Sequence, residues 1–190
     1  MNNIDFFDKS NFYIVTGGPG VGKTTLLEAI GKEGFLIVPE VAREIIKTQI
    51  ETGGKALPWE DTRLYTELML KGSVESYMNN INSKDITFFD RGIPDTICYA
   101  GMIGLEISPV MNKYAENCLY NRQVFILPPW LDIYTTDGER KQNWEEAEMT
   151  YFRMKATYEN YGYKVIDVPK DTVENRLKFV LSTINQEHEI

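Results

Sequence analysis

An apolar, β-branched run, Phe12–Thr16, leads into Gly17-Gly18-Pro19-Gly20-Val21-Gly22-Lys23-Thr24-Thr25, and Leu26, Leu27 and Ala29 then open a helical stretch. No other feature of the 190 residues restricts the fold as strongly. The pattern Gly-x4-Gly-Lys-Thr between a strand and a helix predicts a loop whose successive amides turn inward around an oxyanion. Glycine is required where the backbone must curl and a side chain would collide with the bound anion. The helix N-terminus adds its partial positive charge. Lys23 is then placed to bridge β- and γ-phosphates, and the Thr24 hydroxyl to ligate Mg²⁺. Gly17, Gly18, Pro19, Gly20, Val21, Gly22, Lys23, Thr24 and Thr25 are therefore the expected binding residues for ATP with Mg²⁺.

The rest of the chain alternates between two periods. Short β-rich runs occur at Phe12–Thr16, Phe35–Val38, Ile86–Phe89, Gln123–Leu127 and Lys164–Val168. Each is nearly continuous in apolar or β-branched residues, the pattern of parallel strands covered on both faces. Between them, Leu70, Val74, Tyr77 and Ile81 follow helical spacing, as do Ala147, Tyr151, Met154 and Tyr158. A final helix carries Val173, Leu177, Val180 and Ile184, with Asp171 and Glu174 placed to cap its first turn. Strand–helix alternation predicts an α/β fold with a parallel sheet and right-handed crossovers. No repeat, linker or low-complexity segment interrupts it, so residues 1–190 are expected to form a single domain.

Composition removes several function classes. The formal charge of −8 argues against a broad basic surface for nucleic acid or anionic lipid. Two cysteines, Cys98 and Cys118, and one histidine, His188, argue against a disulfide framework, a zinc site or a histidine-based triad. No apolar run reaches membrane-spanning length, and the first residues lack a secretory pattern. A cytoplasmic location is the resulting expectation.

Two strand ends carry further chemistry. The third run closes on Phe89-Asp90-Arg91-Gly92, and a carboxylate at that edge can hold Mg²⁺ beside the phosphate loop. Asp90 is thus expected to join Thr24 at the metal; the Asp90-Arg91 pair resembles that of small-molecule kinases, which implies that Arg91 faces phosphate or the substrate hydroxyl. The alternatives are a helix cap for Asp90 and a surface salt bridge for Arg91. The second run is followed by Pro39-Glu40, then Arg43 one helical turn on. Glu40 is placed to take the proton of an acceptor hydroxyl, and Arg43 to hold a polar or anionic substrate group. The alternatives there are capping by Glu40 and pairing of Arg43 with Glu44 or another neighbour. Trp59, between two helices, suits either ring stacking or the core. After the fourth run, the polar segment 128–141 ends in Arg140 and Lys141, cations suited to closing over a nucleotide. Lys170 and Arg176 are weaker candidates for flanking its base.

Taken together, Gly-Gly-Pro-Gly-x-Gly-Lys-Thr-Thr, Pro-Glu-x-Ala-Arg, Leu-Pro-Trp, Phe-Asp-Arg-Gly-Ile-Pro-Asp, Pro-Pro-Trp-x-x-Ile-Tyr and Glu-Arg-Lys-Gln resemble the small "predicted ATPase" family of AAA-labelled P-loop domains. The resemblance runs from Phe12 to about Val180. More distantly, the layout is similar to deoxynucleoside and ribosylnicotinamide kinases. It implies a three-layer P-loop sandwich with five parallel strands in the order 2-3-1-4-5, and kinase roles for Glu40, Asp90, Arg91 and Arg140. One departure is that Asp90-Arg91 is followed by Gly92-Ile93-Pro94-Asp95, where nucleoside kinases usually have serine or tyrosine. Only about one helix follows the fifth strand, too little for the second subdomain of an AAA+ motor.

The leading expectation is an ATP-dependent phosphotransferase acting on a small hydroxylated, nucleoside-like acceptor with catalytic Lys23, Glu40, Asp90, Arg91 and Arg140. The alternative is an ATPase or a nucleotide-switched binding protein with no small-molecule acceptor. A GTPase is disfavoured, because Asn112-Lys113 is followed by Tyr114-Ala115 and the guanine-reading motif is missing.

Overall fold

A computed structural model describes residues 5–133 and 144–188. Five strands form one parallel sheet: β1 Phe12–Gly17, β2 Leu36–Val38, β3 Thr87–Asp90, β4 Gln123–Leu127 and β5 Lys164–Asp167. Their spatial order is 2-3-1-4-5, as the resemblance implies. The seven helices are α1 Lys23–Lys32, α2 Val41–Thr52, α3 Thr62–Asn79, α4 Ile93–Met102, α5 Pro109–Asn117, α6 Trp144–Asn160 and α7 Val173–His188. Two two-residue strands, Phe7–Asp8 and Cys118–Leu119, pair in parallel apart from the main sheet.

The period-2 geometry of β1 explains the layering. Phe12 and Ile14 point into one core with Phe89, Tyr77, Tyr120 and Tyr158. Tyr13 and Val15 point into the opposite core with Leu26, Ile30, Phe88, Val180 and Ile184. The sheet is therefore packed on one face by α1 and α7, and on the other by side chains of α3, α4, α5 and α6. Full coverage holds for β1, buried at every position, but not for the edges. β5 has exposed ends, and β2 begins with exposed Leu36. The expectation that all five runs are enclosed on both faces is corrected there, because an edge strand has a neighbour on one side alone.

Other boundaries moved for local reasons. α3 begins at Thr62, with the Asp61 carboxylate accepting from the Leu64 amide at 2.9 Å, and ends at Asn79. Ile81 therefore lies beyond the helix, in a turn packed against the core. At α7, Thr172 Oγ1 accepts the Asn175 amide, while Asp171 receives the Asn175 side chain and the Thr172 amide. Helix α4 gives no amphipathic stripe, because seven of its ten residues are buried, and a helix buried on most sides shows no 3.6-residue alternation.

The topology delivers the C-terminal ends of β1, β2 and β3 to one edge. In register, Val15 lies opposite Asp90 and Gly17 opposite Leu127. Gly17 has φ +145, and a Cβ there would lie 2.8 Å from the Leu127 carbonyl oxygen, a backbone atom that cannot step aside. Gly18 has only a distant Thr150 methyl, 4.0 Å away. We predict that Gly17→Ala costs about 1–3 kcal/mol of folding stability, read from the urea midpoint, while Gly18→Ala unfolds close to wild type. Equal midpoints for the two variants would contradict this packing.

Candidate active site

The loop 17–22 leaves β1 at the sheet edge and enters α1 at Gly22, which has φ +83 and no side chain to offer the first-turn amides. A Cβ at Gly22 would come within 3.0 Å of the Arg176 guanidinium, so glycine is required by both conformation and space. Arg176, buried to 3% exposure, closes the loop from behind. Its Nη1 donates to the Val21 carbonyl at 2.9 Å, its Nε donates to the Pro169 carbonyl at 3.0 Å, and its guanidinium lies 4.8 Å over the Trp130 ring. A curled, uncapped helix start braced in this way fits a polyphosphate.

In front of the loop lies a compact ion-pair cluster. Lys23, only 5% exposed, donates to Asp90 Oδ1 at 2.6 Å and lies 3.6 Å from Glu40 Oε2. Arg43 Nε reaches the same Glu40 oxygen at 3.0 Å, and Arg91 Nε donates to Glu40 Oε1 at 2.9 Å. Arg91 Nη1 also reaches Asp95 Oδ1 at 3.2 Å. Three cations thus face three carboxylates. The Glu40 and Asp90 side chains are each 11% exposed, so the pairs are shielded from bulk water.

These contacts decide between the alternatives the sequence left open. Glu40 occupies the N-cap position of α2, yet its side chain makes no capping bond. Asp90 caps nothing either; α4 is capped from within by Asp95, which accepts the Gly92 amide at 2.9 Å. Arg91 is no surface pair, with a side chain 19% exposed. Arg43 pairs with a neighbour one turn away, Glu40, rather than with Glu44, as the alternative of local pairing anticipated, and remains 68% exposed at the rim. Thr24 and Thr25 face solvent in the first turn of α1. Trp59 is 67% exposed, and Lys170 is exposed. Arg140 and Lys141 lie outside the described residues.

The two carboxylates that share Lys23 titrate in opposite directions. Burial pushes Glu40 up, but Arg91, Lys23 and Arg43 together overcome it and hold Glu40 below its ordinary value. Burial also pushes Asp90 up, and there it wins, because Lys23 is the main opposing cation and Glu40 adds repulsion. The asymmetry follows the number of cations touching each group, and it leaves Glu40 as the firmly ionised member.

Beside the cluster a narrow cleft runs between α2 and α3, with Val41, Ala42, Met69 and Ser73 among its walls and Asp90 and Arg91 at its end. Among the described residues no group of three or more His, Cys, Asp or Glu forms a metal cage. Mg²⁺ on a nucleotide needs only one or two protein ligands besides phosphate and water, so Thr24 and Asp90 are a chemically suitable set. No helix among the described residues is long and apolar enough to cross a membrane.

Three residues around Arg91 escaped the sequence reading. Asp95 accepts from Thr16 Oγ1 at 2.5 Å and from the Tyr158 hydroxyl, besides Arg91 and Gly92. The available signal was a lone charge inside the apolar run Ile93-Pro94-Asp95-Thr96-Ile97-Cys98.

A family model described as "AAA domain" matches residues 12–176. No curated protein matches the chain. Among solved structures, NadR protein in complex with NR shares 18% identity, with a TM-score of 0.72, over 97% of this chain and 52% of that one. Deoxyadenosine kinase from M. mycoides, with dCMP and dCDP bound, shares 16% identity, with a TM-score of 0.64, over 92% and 99%. Thymidylate kinase from Ehrlichia chaffeensis shares 17% identity, with a TM-score of 0.59, over 93% and 99%. At these identities the likeness is one of fold: the chain has the architecture of P-loop kinases.

Because the folded protein holds Glu40 below its ordinary value, Glu40 stabilises the fold above the unfolded carboxyl pKa of about 4.3. That contribution is lost as pH falls through the depressed value. Glu40→Gln should therefore lower stability by about 3 kcal/mol at pH 7, and the gap to wild type should narrow as pH falls below the ordinary carboxyl range. Thermal melts across that range check it, and a gap that stays constant or widens in acid would contradict it.

Proposed function

Starting from a chain that belongs to the AAA domain family, we propose that it is a Mg²⁺-dependent kinase transferring the γ-phosphoryl group of ATP to a small hydroxylated, nucleoside-like molecule. The observation that carries this reading is the cluster at the sheet edge: Glu40, a carboxylate gripped by Arg91 and Arg43, stands 3.6 Å from Lys23, with Arg43 exposed at the rim. The cleft between α2 and α3, lined in part by Asp90 and Arg91, encloses only about 20 Å³, so an acceptor must widen it. The neighbours of like fold act on, or are bound to, small molecules of this type, which supports the nucleoside-like class.

In this reading the backbone N–H groups of residues 17–22 other than Pro19, with Lys23, would hold the β- and γ-phosphates, and Thr24 and Asp90 would hold Mg²⁺. ATP supplies the phosphoryl group, and Mg²⁺ neutralises its oxygens. Lys23 exchanges Asp90 for phosphate, which frees the carboxylate. Glu40 orients the acceptor hydroxyl and takes its proton as the new O–P bond forms and the bond to the β-phosphate oxygen breaks, with ADP leaving. A carboxylate held below its ordinary value is a weak base, which suits a loose transition state in which the proton leaves late. Arg91 presents fixed positive charge to the transferring group. Arg43, exposed at the rim, holds a polar group of the acceptor, and Arg140 and Lys141 neutralise charge from the segment before α6.

Radiolabelled ATP offered with a panel of nucleosides and other hydroxylated metabolites tests the proposal. Labelled product is expected with at least one acceptor, and transfer to water alone would overturn it. Lys23→Ala should abolish nucleotide binding or turnover. Glu40→Gln should lower turnover about 10²–10⁴-fold, with ATP affinity within about twofold of wild type; normal turnover would remove Glu40 from the role of base.

A further inference from the structure

We infer that Asp95 is a positioning residue, which fixes the guanidinium of Arg91 for phosphoryl transfer and is itself locked by Tyr158 and Thr16. The inference rests on the kinase reading for its consequence, but on geometry alone for its structural part.

Asp95 is 4% exposed, and its two oxygens are fully used. Oδ1 accepts from Thr16 Oγ1 at 2.5 Å and from Arg91 Nη1 at 3.2 Å. Oδ2 accepts from the Gly92 amide at 2.9 Å and from the Tyr158 hydroxyl. Capping α4 requires only the Gly92 amide, and an exposed aspartate serves a cap without losing hydration. The other three donors come from three separate elements. Thr16 immediately precedes Gly17 of the loop, Arg91 follows β3, and Tyr158 lies on α6 with no exposed surface. Burial and the neighbouring Asp95 keep the Tyr158 hydroxyl protonated, so it remains a donor.

Arg91 needs such an anchor. It is the only non-glycine among the described residues with a left-handed backbone, φ 75, a conformation that persists where surrounding contacts enforce it. Its guanidinium is gripped on two sides, by Glu40 at Nε and by Asp95 at Nη1. Glu40 must loosen its grip when it turns to the acceptor and becomes neutral on taking the proton. Asp95 lines the same cleft but is saturated by four donors, so it keeps its place. Arg91 therefore stays aimed at the step in which its other partner is lost.

The test uses Asp95→Asn and Tyr158→Phe, the second removing one hydroxyl from a ring that stays in the core. In the ligand-free protein the Arg91 Nε–H, identified by its loss in Arg91→Lys, should give a protected ¹H–¹⁵N resonance that broadens or exchanges rapidly in either variant. With MgATP and the acceptor that takes label from the panel as the probes, phosphoryl transfer should fall at least tenfold in Asp95→Asn and about threefold in Tyr158→Phe, with KM for ATP within twofold. Asp95→Asn added to Arg91→Ala should cause no further loss, because residues that act through one another are not additive. An unchanged Arg91 resonance, a loss that multiplies with that of Arg91→Ala, or a KM rising in step with the fall in turnover would overturn the inference. If Asp95→Asn does not fold, Tyr158→Phe decides by the same readouts. If wild type transfers phosphate to no acceptor of the panel, the kinase reading fails, and the Arg91 resonance alone still decides whether Asp95 fixes Arg91.

Discussion

The lysine at the start of α1 is shared by two carboxylates from two other strands, and this arrangement organises the whole edge of the sheet. Lys23 is buried, so its ammonium cannot be hydrated and must be matched by protein charge. Asp90 from β3 and Glu40 from the end of β2 match it, although they lie 67 and 17 residues further along the chain. Two like charges brought together around one cation would repel each other, and the repulsion is relieved because Glu40 also receives Arg91 and Arg43. A buried cluster of this kind is weak evidence for stability, since its desolvation offsets most of its attraction. It is better evidence for a site poised to exchange partners.

The exchange has a direction set by charge. Three cations and three carboxylates balance with nothing bound. A polyphosphate entering above Lys23 offers more negative charge than Asp90 does, and a divalent cation arriving with it gives the released carboxylate a new partner. Asp90 is the carboxylate that Lys23 hydrogen-bonds, at 2.6 Å against 3.6 Å to Glu40, so it is the partner a phosphate would displace. Glu40, held by two arginines as well, stays ionised. In the proposed reaction, binding of the donor and preparation of the acceptor side would thus be linked through one lysine.

Much of this was legible in the sequence, for a physical reason. Parallel strands end on a common edge, so residues just past strand ends are neighbours in space even when far apart in the chain. That rule placed Glu40, Asp90 and Arg91 together before any coordinates. It failed for Asp95, Thr16 and Tyr158, whose meeting depends on how α4 and α6 pack against β1, and helix packing is set by long-range shape complementarity. Glu40 stands at the capping position of α2 without capping, so the alternative of a helix cap falls away. Arg176 was read as a flank for the base, whereas it lies buried behind the loop and braces Val21. Trp59, suited on paper to core or substrate, stands in solvent.

The central claim is that the turn between β1 and α1 encloses a polyphosphate and that Lys23 changes partners when it does so. The direct measurement is a crystal structure with a non-hydrolysable ATP analogue and Mg²⁺. The account predicts phosphate oxygens within hydrogen-bond reach of the backbone N–H groups of residues 17–22 other than Pro19, Lys23 Nζ moved from Asp90 onto phosphate, and Asp90 turned to the metal's coordination shell. An empty loop at saturating analogue, with Lys23 still on Asp90 at 2.6 Å, would contradict it.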